Sequence, residues 1–401
     1  MHRPMNETDS NLPLAGIRVL DLGQYIAAPG AAMVLAELGA EVIKIEPLGG
    51  ERSRHIGDYG EAILRSYNRG KRSIMVDIRS QKGGDVVRRL AGICDVVVQN
   101  QRPGAVDKLG LGASQMRALY PRLIYLSITG FGSDGPSKTR PGFDIAAQAE
   151  SGLMSVTGEP DRLPQKVGAP IIDSTAAHLG AQAVLAALFR RERTGKGASI
   201  ETSLLEAAMH LQMPNFTDFF MTGIEPKRLG DAQPKNAPAA DIIQTSDGMV
   251  VISAYVEEHW KLLCQVMNRR DLISDSRFCS NEQRVANRPA MREQLNLAFA
   301  SMTNEDCVER LSAAGIVVGA VRSYSQVEQS EDVCNSGIVQ IAVGADGTSY
   351  RTLGLPYTVD KVHRRELGIA PKAGGNTAEI LSEAGFSAAE ISEFRLAKVV
   401  A

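Results

Sequence analysis

The chain has 401 residues, 44% of them apolar and 22% charged, with a formal net charge of −2, the profile of a soluble globular protein long enough for two domains or one elaborated domain. That balance gives no electrostatic reason to expect nucleic acid or an anionic membrane surface as partner, although a small anionic ligand answers to local charge rather than to the total. Five cysteines without a C-x-x-C pair and six histidines without metal spacing suggest no disulfide framework and no metal site, and the expected location is the cytoplasm.

Residues 1–12 are polar and read as a disordered tail without the apolar core of a signal peptide. No run is expected to reach the length of a membrane span. Gly16–Gly23 reads as a strand, Gly30–Gly39 as a helix ended by glycine and Ala40–Glu46 as a second strand, together one right-handed βαβ unit. A charged, Gly-rich loop from Pro47 to about Tyr59 and a helical segment lead to a third strand, Ser73–Ile78. The rhythm continues with helix Gly83–Ala91, strand Asp95–Gln99, helix Ser114–Leu119 and strand Leu123–Thr129. Short apolar runs between helices mark a parallel sheet covered on both faces, so the expected fold is α/β, a doubly wound Rossmann-like parallel sheet.

A glycine-rich loop, Gly130–Pro136, and the segment Arg140–Gly152 come next. Then Gly168-Ala-Pro-Ile-Ile-Asp173 runs without a break into an alanine-rich helix, so that one carboxylate sits where extended chain becomes helix. Asp173 reads either as the N-cap of that helix or as a catalytic carboxylate held at its start, and spacing does not choose. A strand and helix from Ala198 to about His210 follow. The Pro-, Asn-, Lys- and Gly-rich stretch from Pro214 to Pro238 reads as a boundary or an active-site lid. Beyond it lies a smaller α+β domain, with strands at Gly248–Ser253 and Ile316–Val321 and helices at Glu257–Met267 and Thr303–Ala314. The expected division is a large domain over 13–225, a small domain with its linker over 226–330, and a return segment over 331–401 whose two terminal helices complete the large domain.

Gly23-Gln-Tyr-Ile-Ala-Ala-Pro-Gly30 stands where a dinucleotide-binding protein carries closely spaced glycines, but side chains and a proline occupy the middle, so NAD or FAD is not supported. It reads as a plain strand-to-helix turn or as a seat for another phosphate or carbonyl. Basic residues recur beyond strand ends at Arg52, Arg54, Arg69, Lys71, Arg72, Arg79, Arg102 and Lys108. They are either solvated faces or, converging on one rim, the binding surface of a large anionic cofactor.

At Asn68-Arg-Gly-Lys-Arg-Ser-Ile74, Asn100-Gln-Arg-Pro-Gly104, Arg140-Pro-Gly-Phe-Asp144 and Gly168–Asp173 the sequence resembles the class III coenzyme A transferases, the CaiB/BaiF family. The likeness runs from Leu14 through the Thr377–Leu381 segment. The resemblance implies that Asp173 is the nucleophile. It implies contacts to coenzyme A along Gln24, Tyr25, Ile26 and Ala27, along Val76, Asp77, Ile78 and Arg79, at Asn100, Gln101, Arg102 and Lys108, and along Pro141, Gly142, Phe143 and Asp144. Arg52, Arg54, Lys71 and Arg72 are added as candidate bases, Arg52 or Arg54 standing in for the arginine that some members carry where this chain has Pro47. A family histidine near the C-terminus is Asn376 here. The resemblance further implies an interlocked homodimer, acyl-CoA and a carboxylic acid acceptor as substrates, and no tightly bound cofactor or metal. The related racemases place a histidine base where this chain has Phe143, which carries no proton. Racemisation is therefore the runner-up, and a non-catalytic acyl-CoA-binding protein the alternative from another class.

Overall fold

The computed structural model describes residues 12–231, 239–254, 256–358 and 367–401; the expected tail lies outside them apart from Leu12. The chain divides into two compact units, one drawn from Met1–Leu153, Val167–Thr222 and Asn335–Ala401 and the other from Met154–Lys166 and Gly223–Cys334. Residues 154–166, read from sequence as part of the large domain, belong to the second unit.

In chain order the first unit begins with β1 (Arg18–Asp21), α1 (Ala27–Glu37), β2 (Glu41–Glu46), α2 (Gly57–Tyr67), β3 (Arg72–Met75), α3 (Gln81–Ala91), β4 (Val96–Gln99), α4 (Ala113–Leu119) and β5 (Ile124–Thr129). It continues with α5 (Asp144–Glu150), the short α6 (Leu153–Val156) that crosses into the second unit, α7 (Ile171–Thr194), β6 (Ala198–Ser203), α8 (Leu204–Leu211) and α9 (Met213–Thr222). The six strands form one sheet in the order β3-β2-β1-β4-β5-β6, parallel throughout. Because side chains alternate across a strand, neighbours such as Val19 and Leu20, or Leu126 and Tyr125, enter two separate cores. On one face β-strand valines and isoleucines meet the alanines of α1 and α7; on the other they meet α3 and α4. The alanines have a steric reason: a Cβ on Gly30 of α1 would stand 2.9 Å from Ala177 of α7, so the two helices touch almost backbone to backbone.

One described helix, α7, is long and apolar enough to cross a membrane by length and hydropathy, contrary to the expectation from sequence. Its apolar face is that of a core helix, with Ile172, Ala176, Ala181, Val184 and Leu188 in the first core and Arg191 paired to Asp95 at 2.9 Å.

The stretch read as a lid or boundary begins instead with α9, where Pro214 occupies the first turn that tolerates it and Phe216, Phe219 and Phe220 recur at helical spacing; residues 232–238 lie outside the described ones. The second unit holds an antiparallel sheet of β7 (Ala239–Gln244), β8 (Met249–Ala254) and β9 (Val317–Ala320). Its core centres on Trp260, Phe278, Leu295 and Phe299. The return segment carries strands that sequence reading missed, β10 (Val339–Val343), β11 (Ser349–Leu353) and the two-residue β12 (Leu367–Gly368), before helices Thr377–Glu383 and Ala388–Leu396. Those helices close the second face of the large sheet, with Ile380, Leu381 and Ile391 in its core and Val400 bridged to Val76.

Candidate active site

Strand order reverses between β1 and β4, which share an edge but lead their chains away to opposite sides. A crevice opens past the carboxyl ends of strands at such a point. Here Asn100, just after β4, grips the backbone of Gln24, just after β1: its Oδ1 accepts the Gln24 N–H at 2.9 Å and its Nδ2 donates to the Gln24 carbonyl at 2.9 Å. Beyond β5, a Cβ on Gly142 would lie 2.7 Å from the Cα of Gly130. This close backbone approach seats Phe143 and Asp144 beside the end of β5.

Helix α7 starts three residues earlier than its sequence suggests, at Ile171, so Asp173 lies inside the first turn and is not its own cap. The residue at the cap position is Pro170, which has no side-chain acceptor to offer. Asp144 serves from outside: its Oδ2 accepts the N–H groups of Ile172 at 2.7 Å and Asp173 at 3.1 Å. Gln148, one turn along α5 and fully buried, donates to Asp144 Oδ1 and accepts the Val167 N–H at 2.8 Å. Asp144 is thereby locked between two helices.

The Asp173 carboxylate accepts no hydrogen bond and pairs with no cation among the described residues. Burial, and after it the negative charge of Asp144, push its carboxyl up to about 7. Next to it, the Tyr67 hydroxyl meets Ser174 Oγ at 3.2 Å, and its ring lies beside Gly30. An unspent, desolvated carboxylate at the mouth of a parallel sheet can act as a nucleophile or exchange a proton near neutral pH.

The sequence-predicted binding residues divide by what they already hold. Gln24, Tyr25, Ile26 and Ala27 follow β1, Val76, Asp77, Ile78 and Arg79 follow β3, Asn100, Gln101 and Arg102 follow β4, and Pro141, Gly142, Phe143 and Asp144 return to β5, so all lie past strand carboxyl ends. Arg52, Arg79, Arg102 and Lys108 are exposed and form no ion pair among the described residues. Three other expected bases are spent. Arg54 pairs with Glu46 at 2.7 Å and donates to the Pro371 carbonyl. Arg72 pairs with Glu383 at 2.8 Å, with Glu379 at 3.1 Å and with Glu41. Lys71 is wholly buried, its Nζ on Asp21 at 2.7 Å, the Pro29 carbonyl at 2.9 Å and Asn68 at 3.0 Å. Lone basic residues in sequence give no sign of carboxylates that arrive from other strands, and here those carboxylates win. Gln101 is likewise spent in part on the Leu22 carbonyl at 3.1 Å. Asn376 braces β3, accepting the Ser73 N–H at 3.1 Å and donating to Glu379 at 3.2 Å. Sequence reading missed Gln148, Tyr67 and Ser174; the four-residue step from Asp144 to Gln148 was the one signal available. Among the described residues no group of three or more His, Cys, Asp or Glu side chains is placed to hold a metal ion.

Residues 14–377 match the sequence family described as CoA-transferase family III. The chain is 36% identical over 356 residues, 83% of this chain and 89% of the other, to the Mycobacterium tuberculosis protein named "Probable fatty acyl-CoA transferase Rv3272". It is 32% identical over 382 residues, 92% of this chain and 95% of the other, to succinate–glutarate CoA-transferase of Agrobacterium fabrum. A crystal structure of a CaiB/BaiF family protein from Brucella suis superposes with a TM-score of 0.85 at 33% identity, covering 93% of this chain and 100% of that one. The chain belongs to CoA-transferase family III. It is an enzyme, a CoA-transferase, and moves coenzyme A between an acyl-CoA thioester and a carboxylic acid.

Proposed function

We propose that transfer runs through covalent intermediates on Asp173. The observation that carries this reading is that the Asp173 carboxylate is desolvated and has no hydrogen-bond or ion-pair partner among the described residues, while Asp144, Tyr67 and Ser174 beside it are engaged elsewhere. In the first step a carboxylate oxygen attacks the thioester carbonyl, the C–S bond breaks and CoA leaves as thiolate, giving an aspartyl-acyl anhydride. The thiolate then attacks the Asp173 acyl carbon, releasing the donor's carboxylate and leaving an aspartyl-CoA thioester. The incoming acid attacks that thioester, and the freed thiolate attacks the acyl carbonyl of the new anhydride, yielding the new acyl-CoA and free Asp173. A good leaving group makes a modest nucleophile sufficient, and splitting the reaction lowers each barrier.

Each tetrahedral oxyanion needs fixed donors. The Gly23 and Gln24 amides are taken by Asp21 and Asn100, which leaves those of Tyr25, Ile26, Ala27 and Ala28 at the start of α1 as that loop's donors. Coenzyme A lies along the strand ends, its phosphates on Arg52, Arg79, Arg102 and Lys108, the bases not paired with carboxylates. The enzyme works as an interlocked homodimer; the exposed Phe220 and Met221 of α9, 73% and 80% accessible in the single chain, support an apolar face that assembly covers.

The test is exchange. With a panel of acyl-CoA donors and isotopically labelled acids, chromatography shows new labelled acyl-CoA with the wild-type protein and none with Asp173→Ala, which still binds CoA. Transfer that survives in Asp173→Ala removes the nucleophile from this residue.

A further inference from the structure

The loop between β1 and α1 is fastened by side chains rather than by its own backbone. Its Leu22 carbonyl accepts from Gln101. The Gly23 N–H donates to Asp21 Oδ1 at 2.8 Å and the Gly23 carbonyl accepts from Lys44 Nζ at 3.1 Å. Asn100 holds both polar groups of Gln24, and Lys71 holds the Pro29 carbonyl. Between the Gln24 and Pro29 fastenings Tyr25 takes φ +64°, the left-handed region that a bulky aromatic enters only at a cost and that surrounding structure must enforce.

Three of these fastenings, on the Gly23 N–H, the Gly23 carbonyl and the Pro29 carbonyl, are made by ions buried completely. The side chains of Asp21, Lys44 and Lys71 are 0% exposed and that of Glu51, on Lys44 at 2.7 Å, is 1% exposed. Such a cluster is a poor way to gain stability, since well-packed apolar groups often do as well. What it does that apolar groups cannot is bind peptide oxygens, and the two it takes through lysines are the Gly23 and Pro29 carbonyls, one on each side of Tyr25. The Tyr25 ring in turn meets Phe143 edge to face, centroids 5.8 Å apart at 87°. Phe143 is 55% exposed and directly precedes Asp144, whose carboxylate holds the amides of Ile172 and Asp173.

We propose that the buried Asp21–Lys71 pair is a positioning device for CoA transfer: with Lys44 and Asn100 it holds the Gly23–Pro29 loop so that Tyr25 keeps its left-handed backbone and braces Phe143, and the two rings set the line along which the acyl group reaches Asp173. Lys71 and Asp21 touch no substrate and act through Tyr25. This inference rests on Asp173 as the nucleophile.

The test measures kcat and KM for wild type, Tyr25→Gly, a charge-neutral Asp21→Asn/Lys71→Met pair and the combination, with circular dichroism to establish folding. The loop variants are expected to lose kcat by roughly 10- to 100-fold, with KM for the thioester changed by about twofold or less, because misplacement costs rate rather than nucleotide binding. The combination is expected to be no slower than the slower parent, since both act through one ring. Wild-type kcat in Tyr25→Gly, wild-type kcat in a folded Asp21→Asn/Lys71→Met protein, or losses that multiply in the combination overturn the inference while leaving the Asp173 reading intact. If the charge-neutral pair does not fold, Tyr25→Gly alone decides by the same kcat criterion. Transfer that survives in Asp173→Ala overturns the Asp173 reading, and the inference with it.

Discussion

Two carboxylates of the large unit occupy opposite electrostatic settings. Asp21, at the end of β1, is completely buried, and burial pushes its carboxyl up, yet Lys71, Lys44 and the Gly23 N–H together outweigh that and hold it below its ordinary value. Asp173 is only half-buried but has no cation to offset the same penalty, and the neighbouring Asp144 adds to it, so its carboxyl rises to about 7. Partners, more than depth, decide which carboxylate remains a structural ion and which is left reactive. In the reading proposed above, the paired one shapes the loop and the unpaired one does the chemistry.

Breaking the comparison at the reactive end has the largest effect. Asp173→Ala is expected to lower transfer by about 10³-fold or more with the fold retained, measured by chromatography of the product thioester. Breaking it at the structural end costs stability: Lys71→Met leaves Asp21 buried without its main partner and is expected to lose about 3–5 kcal/mol in urea denaturation. Among the exposed bases, Arg102→Ala and Lys108→Ala are expected to raise KM for the thioester several-fold, by roughly 1 kcal/mol each, with kcat held and the effect fading as salt rises.

Titration sharpens the contrast. The proposed nucleophile attacks only when ionised, so kcat/KM is expected to rise with pH through about 7. Asp144→Asn removes the like charge and moves that limb to lower pH. Native Asp173 binds its proton more tightly than an unfolded carboxyl does, so its ionisation costs stability as pH climbs from the ordinary carboxylate range towards about 7. Asp173→Asn is therefore expected to be the more stable protein at pH 8, by on the order of 1 kcal/mol after allowance for its partial exposure, and indistinguishable from wild type at pH 3. The smallest effect lies in the second unit, where Thr303→Ala removes one half of a capping box with Asp306. It is expected to cost about 1 kcal/mol there without changing kcat.

The alternation of short apolar runs and helices was legible because each strand of a parallel sheet is buried on both faces and each helix on one. Val96-Val-Val-Gln99 and Ile124–Thr129 declare themselves without reference to anything distant. What was not legible came from long range. Ile171 and Ile172 are β-branched and follow a proline, so they read locally as extended chain; the helix includes them because its amides are satisfied by Asp144, 28 residues upstream. Lys71 reads as a free cation because its partner Asp21 is 50 residues away in sequence. The short strand β11 went unread because Ser349–Leu353 carries little apolar pattern, and β10 was overlooked although Val339-Gln-Ile-Ala-Val343 alternates apolar residues, two of which, Ile341 and Val343, are exposed in the single chain. Asp173 was singled out by sequence as a carboxylate at a helix start, but its neighbours alone allow it to be a cap; the structure gives that role to Asp144.

The most direct measurement is intact-protein mass spectrometry after incubation with acyl-CoA thioesters, followed by hydroxylamine trapping and peptide mapping. Covalent transfer predicts a thioester-dependent adduct, converted to a hydroxamate on the peptide that contains Asp173 and absent from Asp173→Ala. Productive transfer with no adduct at Asp173 during turnover, or an adduct on another residue, would contradict it.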